Sequence, residues 1–177
     1  QLTGDPDVTG KESLSISLRA QNAGSVRLLL VSGTWPNNAE DGIVLDVSAG
    51  QWNEFHVDLA AFDGMDLTAV NQIKFDSQSG SIGADKTSLT DFYMDNMYFG
   101  DTTPTVGTPV PDALPDTVAQ TVVEADDIAL FTEANGAALA DDDPFPVWGT
   151  WQTSRVTSVE AAGENVLKFS DVNVQGV

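Results

Sequence analysis

Apolar and polar residues alternate along much of the chain with the two-residue period of a half-buried strand. Leu14, Ile16 and Leu18 are interleaved with Ser13, Ser15 and Ser17, which predicts one face turned to a core and one turned away. Val26 to Val31 is a fuller apolar run, the pattern of a central strand. Ile43, Leu45 and Val47 alternate with Val44 and Asp46, and Ser48-Ala49-Gly50 then turns the chain into Trp52 to Leu59, where Phe55, Val57 and Leu59 share a face. Ile73 with Phe75, and the aromatic-rich Phe92 to Phe99, predict two more strands. A helical turn is expected only over Leu67 to Gln72. Strands recurring every 10 to 15 residues between Gly, Asn and Asp predict an all-β fold, an antiparallel β-sandwich.

Residues 101–125 break the pattern. They hold four of the eight prolines and no Lys, Arg or aromatic residue. Proline removes ladder donors and stiffens the chain toward an extended, solvated form, so this stretch reads as a Pro/Thr-rich linker. Strand patterning resumes in 126–177, with Ile128, Leu130 and Phe131 and then Val156 to Val159, Val166 to Phe169 and Val172 to Val177. Fifty-two residues are too few to close a sandwich alone. The block stops in mid-strand and residues 1–12 lack an opening strand, so both ends read as cut.

Charge narrows the partners. Seven Lys and Arg against 27 Asp and Glu give a formal net charge of −20, a field that repels nucleic-acid phosphates and anionic lipid. No apolar run is long enough for a transmembrane helix, so neither nucleic acid nor membrane insertion is expected. Cysteine is absent, which excludes disulfides and thiol chemistry. Asp outnumbers Glu 20 to 7, a bias toward turns and calcium loops that suits a secreted, extracellular protein. His56, the lone histidine, falls on the opposite side of its strand from Phe55 and Val57, and a solvated face accounts for it. With no cysteine and no nucleophile motif, neither a catalytic triad nor a zinc site is expected.

Three segments carry a family resemblance. Gly50-Gln-Trp-Asn-Glu-Phe-His-Val-Asp-Leu-Ala-Ala-Phe62, Asp66-Leu-Thr-Ala-Val-Asn-Gln-Ile-Lys-Phe75 and Asp91-Phe-Tyr-Met-Asp-Asn-Met-Tyr-Phe99 resemble the closing half of the carbohydrate-binding-type jelly-roll modules attached to secreted marine polysaccharidases such as laminarinases and agarases. Ile128-Ala-Leu-Phe131, Pro144-Phe-Pro-Val-Trp-Gly149 and Val166-Leu-Lys-Phe169 through Val174-Gln-Gly-Val177 resemble the opening half. In that family the opening half comes first; here the order is reversed. Reading Val177 straight into Gln1 restores it without a gap, so the chain is expected to be one period of a tandem repeat cut inside a module. Three arrangements fit: self-closure as a circular permutant, donation of 126–177 to a neighbouring copy, or one long covalent array. Extended at roughly 3 Å per residue, the 25-residue linker reaches about 75 Å, enough for all three. A head-to-tail contact that does not close a ring builds a filament.

The resemblance also implies sites. Modules of this type are non-catalytic and commonly hold a structural calcium between their first and last strands. By position that implicates Asp95 and Glu133, with Asp127 and the run Asp141-Asp142-Asp143 as further candidates; calcium requires several such oxygen ligands. Sugar binding needs exposed aromatic faces, for which Trp35, Trp148 and Trp151 are the candidates, while Trp52 is assigned to the core. Two familiar aromatic positions are lost, one reading Val174 and the other falling in Ser15-Ile-Ser-Leu-Arg-Ala20. The resulting expectation is a non-catalytic extracellular repeat whose partners are other copies of itself, the alternative being a carbohydrate-binding module of a secreted polysaccharidase acting on polysaccharide.

Overall fold

Alternation in the first strand is realised as read: in β1 (Ser13–Arg19) the side chains of Leu14, Ile16 and Leu18 are buried in the core. The computed structural model describes residues 2, 5–34, 36–101, 128–131, 153–161 and 164–176. Its further strands are β2 (Gly24–Ser32), β3 (Ala39–Val47), β4 (Trp52–Asp58), β5 (Val70–Asp76), β6 (Phe92–Gly100), β7 (Ile128–Phe131), β8 (Arg155–Ala161), β9 (Glu164–Ser170) and β10 (Val174–Gly176).

All neighbouring strands pair antiparallel, in two sheets. The smaller sheet runs β10-β5-β2-β3, which puts the most apolar strand, β2, in its interior. The larger runs β4-β1-β6-β9-β8. The far edge of β6 is divided: Phe92–Met94 pair with β9, and Met97–Phe99 with β7. One hydrophobic cluster joins the two sheets, with Leu14, Leu18, Phe92, Met94 and Phe99 from one side and Val26, Leu28, Leu30, Ile73 and Phe75 from the other. The architecture is an all-β, antiparallel sandwich.

Helix is confined to two short turns among the described residues, Leu59–Ala61 and α1 (Ser79–Ile82). The helical turn expected over Leu67 to Gln72 is instead a turn at Leu67–Thr68 followed by β5. The Asp66 carboxylate accepts bonds from the backbone N–H of Thr68 at 3.0 Å and from its hydroxyl at 2.6 Å. Such a local side-chain turn competes with helix, and Val70 then enters the β2 ladder opposite Ser32.

Trp52 needs correction. Register places Leu18 opposite Asn53, Ile16 opposite Phe55 and Leu14 opposite Val57, so Phe55 and Val57 face the core and Trp52, opposite Arg19, faces outward. The Gly50 turn, with φ at +74°, sets that phase.

Both ends of the chain use one edge of β5. β10 aligns Val174 with Asp76, Gln175 with Phe75 and Gly176 with Lys74. Farther along the same edge, the Leu2 N–H donates to the Asn71 carbonyl at 2.8 Å. Among the described residues, Gly176 stands opposite Lys74 and Leu2 bonds to Asn71, three positions farther along the same edge.

Candidate functional site

The outer face of the larger sheet is polar, yet much of it is covered. Ser15, Ser17 and Arg19 point away from the core by alternation, but their exposures are only 1%, 4% and 6%. Across from them on β6 lie Tyr98, Asp95 and Tyr93. Between Ser15 and Ser17 the register with β6 slips by one residue, because β6 carries an extra residue there. That is a β-bulge, and Asn96 sits in it with φ at +49°, a left-handed conformation that Asn tolerates better than most residues. The bulge lets Met94 and Met97 both reach the core, and it coincides with the point where β6 changes partner from β9 to β7.

Asp95 is the buried carboxylate among the described residues, 2% exposed, and its Oδ1 accepts from the Asn96 N–H at 2.7 Å. Asn96 Nδ2 and the Tyr98 hydroxyl are buried without a hydrogen-bond partner. Of the expected calcium ligands, Asp95 lies beside the β6–β7 joint, while Asp127 and Glu133 lie outside the described residues. No group of three or more acidic or histidine side chains converges among the described residues. What Asp95 offers a hard cation is one desolvated carboxylate, a single member of the oxygen set calcium takes. Trp35, Trp148 and Trp151 also lie outside the described residues.

His56 occupies the outward face of β4, exposed, as its phase predicted. It has one contact that the sequence did not disclose: the Ser15 hydroxyl lies 2.9 Å from its Nδ1. Partial desolvation lowers its pKa, against the opposing pull of Glu54.

At the other end of this face a row crosses five strands. Trp52 pairs with Arg19, Arg19 with Tyr93, Tyr93 with Lys168, and Lys168 with Thr157. Tyr93 and Lys168 also border a groove of about 520 Å³ together with Gln21, Asn22, Thr87, Ser88 and Thr90. This grouping escaped the sequence reading because Tyr93 and Lys168 are 75 positions apart. Their outward phase was legible, since each stands between two core residues, Phe92 and Met94 or Leu167 and Phe169.

No protein-family profile, curated protein or solved structure matches the chain.

Proposed function

We propose that the chain is one period of a non-catalytic, extracellular structural or adhesive repeat. Each jelly-roll sandwich combines residues 126–177 with residues 1–100 of the period that follows, and the modules run head to tail as a surface filament, sheath or long adhesin. The carrying observation is the shared edge of β5. Gly176 and Leu2 lie on it in one register with two places between them, the number that residues 177 and 1 would fill if joined. An edge used in this way can be completed by segments of the same chain or by those of a neighbouring copy. Strand complementation supplies ladder hydrogen bonds and apolar contact where a disulfide is absent. The high negative charge keeps such modules apart except at their joints.

Calcium strengthens the same joint in this reading. Asp95 on β6 would hold it with Glu133 and Asp127, cross-linking the closing strand to the start of the second block. Its role is structural.

Light scattering and negative-stain images of the native chain, with and without a calcium chelator, test the assembly. Long particles with a regular repeat are expected, and a chelator should shorten them; a compact 18.7 kDa monomer would overturn assembly through these ends. A re-ordered chain, 126–177 fused directly to 1–100, should fold as a closed monomer. Failure of that chain to fold would overturn the proposed module boundary. Removal of 126–177 should abolish assembly.

A further inference from the structure

We propose that the outer edge of β4 docks a second copy of this chain. The two β4 strands pair antiparallel about a two-fold axis at Phe55, so that Glu54 of each copy faces His56 of the other. The contact is isologous. It goes beyond head-to-tail assembly through the chain ends and does not depend on it, because a monomer carries the same edge. In a filament it would hold two strands side by side.

The first observation is an open edge. β4 ends the larger sheet, and among the described residues it pairs with β1 alone. The Leu59 N–H donates to the Glu12 carbonyl, and the Asn53 side-chain amide donates to the Leu18 carbonyl at 3.3 Å. β1 therefore turns the carbonyls of its even-numbered residues toward β4. Antiparallel pairs alternate between bonded and unbonded, so Asn53, Phe55 and Val57 point their backbone groups at β1. Glu54 and His56 point theirs out along the edge. Proteins guard such edges with lysine, proline, a bulge or an inward charge. β3, which ends the smaller sheet, carries an inward charge: Asp41 stands opposite the core residue Leu30, in step with Leu45 and Val47. β4 carries none of these devices. Its register with β1 is unbroken, and its inward positions are Asn53, Phe55 and Val57.

The second observation is that this edge complements itself. Pairing about Phe55 sets Glu54 against His56, Asn53 against Val57 and Trp52 against Asp58. The Glu54 carboxylate makes neither a hydrogen bond nor an ion pair with any described residue. On His56, Nδ1 meets the Ser15 hydroxyl at 2.9 Å, and Nε2 has no partner among the described residues. An acid and the chain's lone histidine thus meet twice across the axis, on the outward face they share, and opposite charges facing one another across strands stabilise the pair.

The third is Phe55 itself. It packs against the core yet stays half-buried at the sheet's end. On the axis it would face its own copy in an unbonded pair, where Cα atoms come within about 4.5 Å and side chains approach closest. The net charge of −20 on each copy opposes the contact, so it should be weak and should strengthen as salt screens the field. Protonation of His56 also favours it. The groups around that ring are the Ser15 hydroxyl from β1, Glu54 and Asp58 on β4, and Lys11, Glu12 and Asp101 across the adjoining groove.

The test uses the full chain. Cysteine is absent, so Phe55→Cys supplies one thiol per copy, on the axis, at a Cα separation that suits a disulfide. Mild oxidation should link the copies in pairs. Thr157→Cys, exposed on β8 at the other end of the sheet, should not cross-link. His56→Glu sets like charges opposite one another twice. By sedimentation velocity it should lower the pairing affinity about tenfold or more, and in negative-stain images it should split doubled strands into single ones of unchanged length. Adding Glu54→Lys to the same chain should restore pairing. Lowering the pH from about 7.5 to about 6 should strengthen pairing of the parent more than that of His56→Gln. Circular dichroism confirms the fold of each variant. If head-to-tail assembly fails, two-fold dimers should replace the doubled strands, so the two readings fail separately. No cross-link in folded Phe55→Cys, equal cross-linking of Thr157→Cys, or unchanged pairing in folded His56→Glu would overturn the proposal.

Discussion

Phe169 lies flat against Phe92, their ring centroids 4.7 Å apart and their planes 8° from parallel. One ring comes from the C-terminal block and the other from the N-terminal block. Phe75 of the opposite sheet meets both edge-on, at 5.5 Å from Phe92 and 5.1 Å from Phe169. Three aromatic rings thus join the two blocks and the two sheets at one point.

Phe169→Ala should therefore cost about 3–5 kcal/mol, the range for removing a buried aromatic side chain. Urea unfolding of the re-ordered monomer measures this without interference from assembly. If the native chain exchanges strands between copies, the same substitution should also shorten its particles.

Tyr98 presents the opposite case. Its hydroxyl is buried with no partner, so Tyr98→Phe removes an unsatisfied polar group and keeps the ring. The variant should equal or exceed the parent by up to about 1 kcal/mol. A clear fall in melting temperature would mean that the hydroxyl has a partner in solution.

Gly42 tolerates no side chain. A Cβ there would meet the Leu28 carbonyl oxygen and approach Leu29 Cγ to 2.8 Å. Gly42→Ala should destabilise by about 1–3 kcal/mol as β2 and β3 are forced apart, read by thermal melting. Gly10 has nothing within 4 Å of the same position, so Gly10→Ala serves as the control.

Stability should fall in two steps on acidification. The pKa of His56 is lowered in the fold, chiefly by desolvation, so below its ordinary value near 6.5 the unfolded chain binds the proton more readily. This contribution is complete above that value and is lost as pH falls through the folded pKa. A second loss follows at lower pH, where Asp46, held down by Lys86 and Ser25, and Asp7 and Asp66, held down by Thr9 and Thr68, become protonated. His56→Gln should remove the first step and leave the second, measured as urea midpoints against pH.

The alternating serines and leucines of β1 were enough to fix which side of that strand faces the core, because burial follows the two-residue period whatever the neighbour is. The apolar run of β2 likewise announced an interior strand, and Phe92 to Phe99 and Val166 to Phe169 were legible as strands for the same reason. Asp95 could be singled out by resemblance, but its burial could not. The outward phase of Trp52 was legible, since Phe55, Val57 and Leu59 share the other face of its strand; the assignment to the core set that alternation aside, and the pairing of Asn53 with Leu18 bears the alternation out.

Local pattern and composition thus determined an acidic, cysteine-free, all-β chain interrupted by a Pro-rich stretch, since these depend on neighbouring residues and on sums over the sequence. Only the tertiary structure decided which strands adjoin. It put Gly176 and Leu2 on one edge of β5, opened a bulge at Asn96 where β6 changes partners, and set Arg19 and Lys168 on either side of Tyr93. Those placements come from ladder register between distant segments, which hydrogen bonding and core packing select together and which no local period encodes.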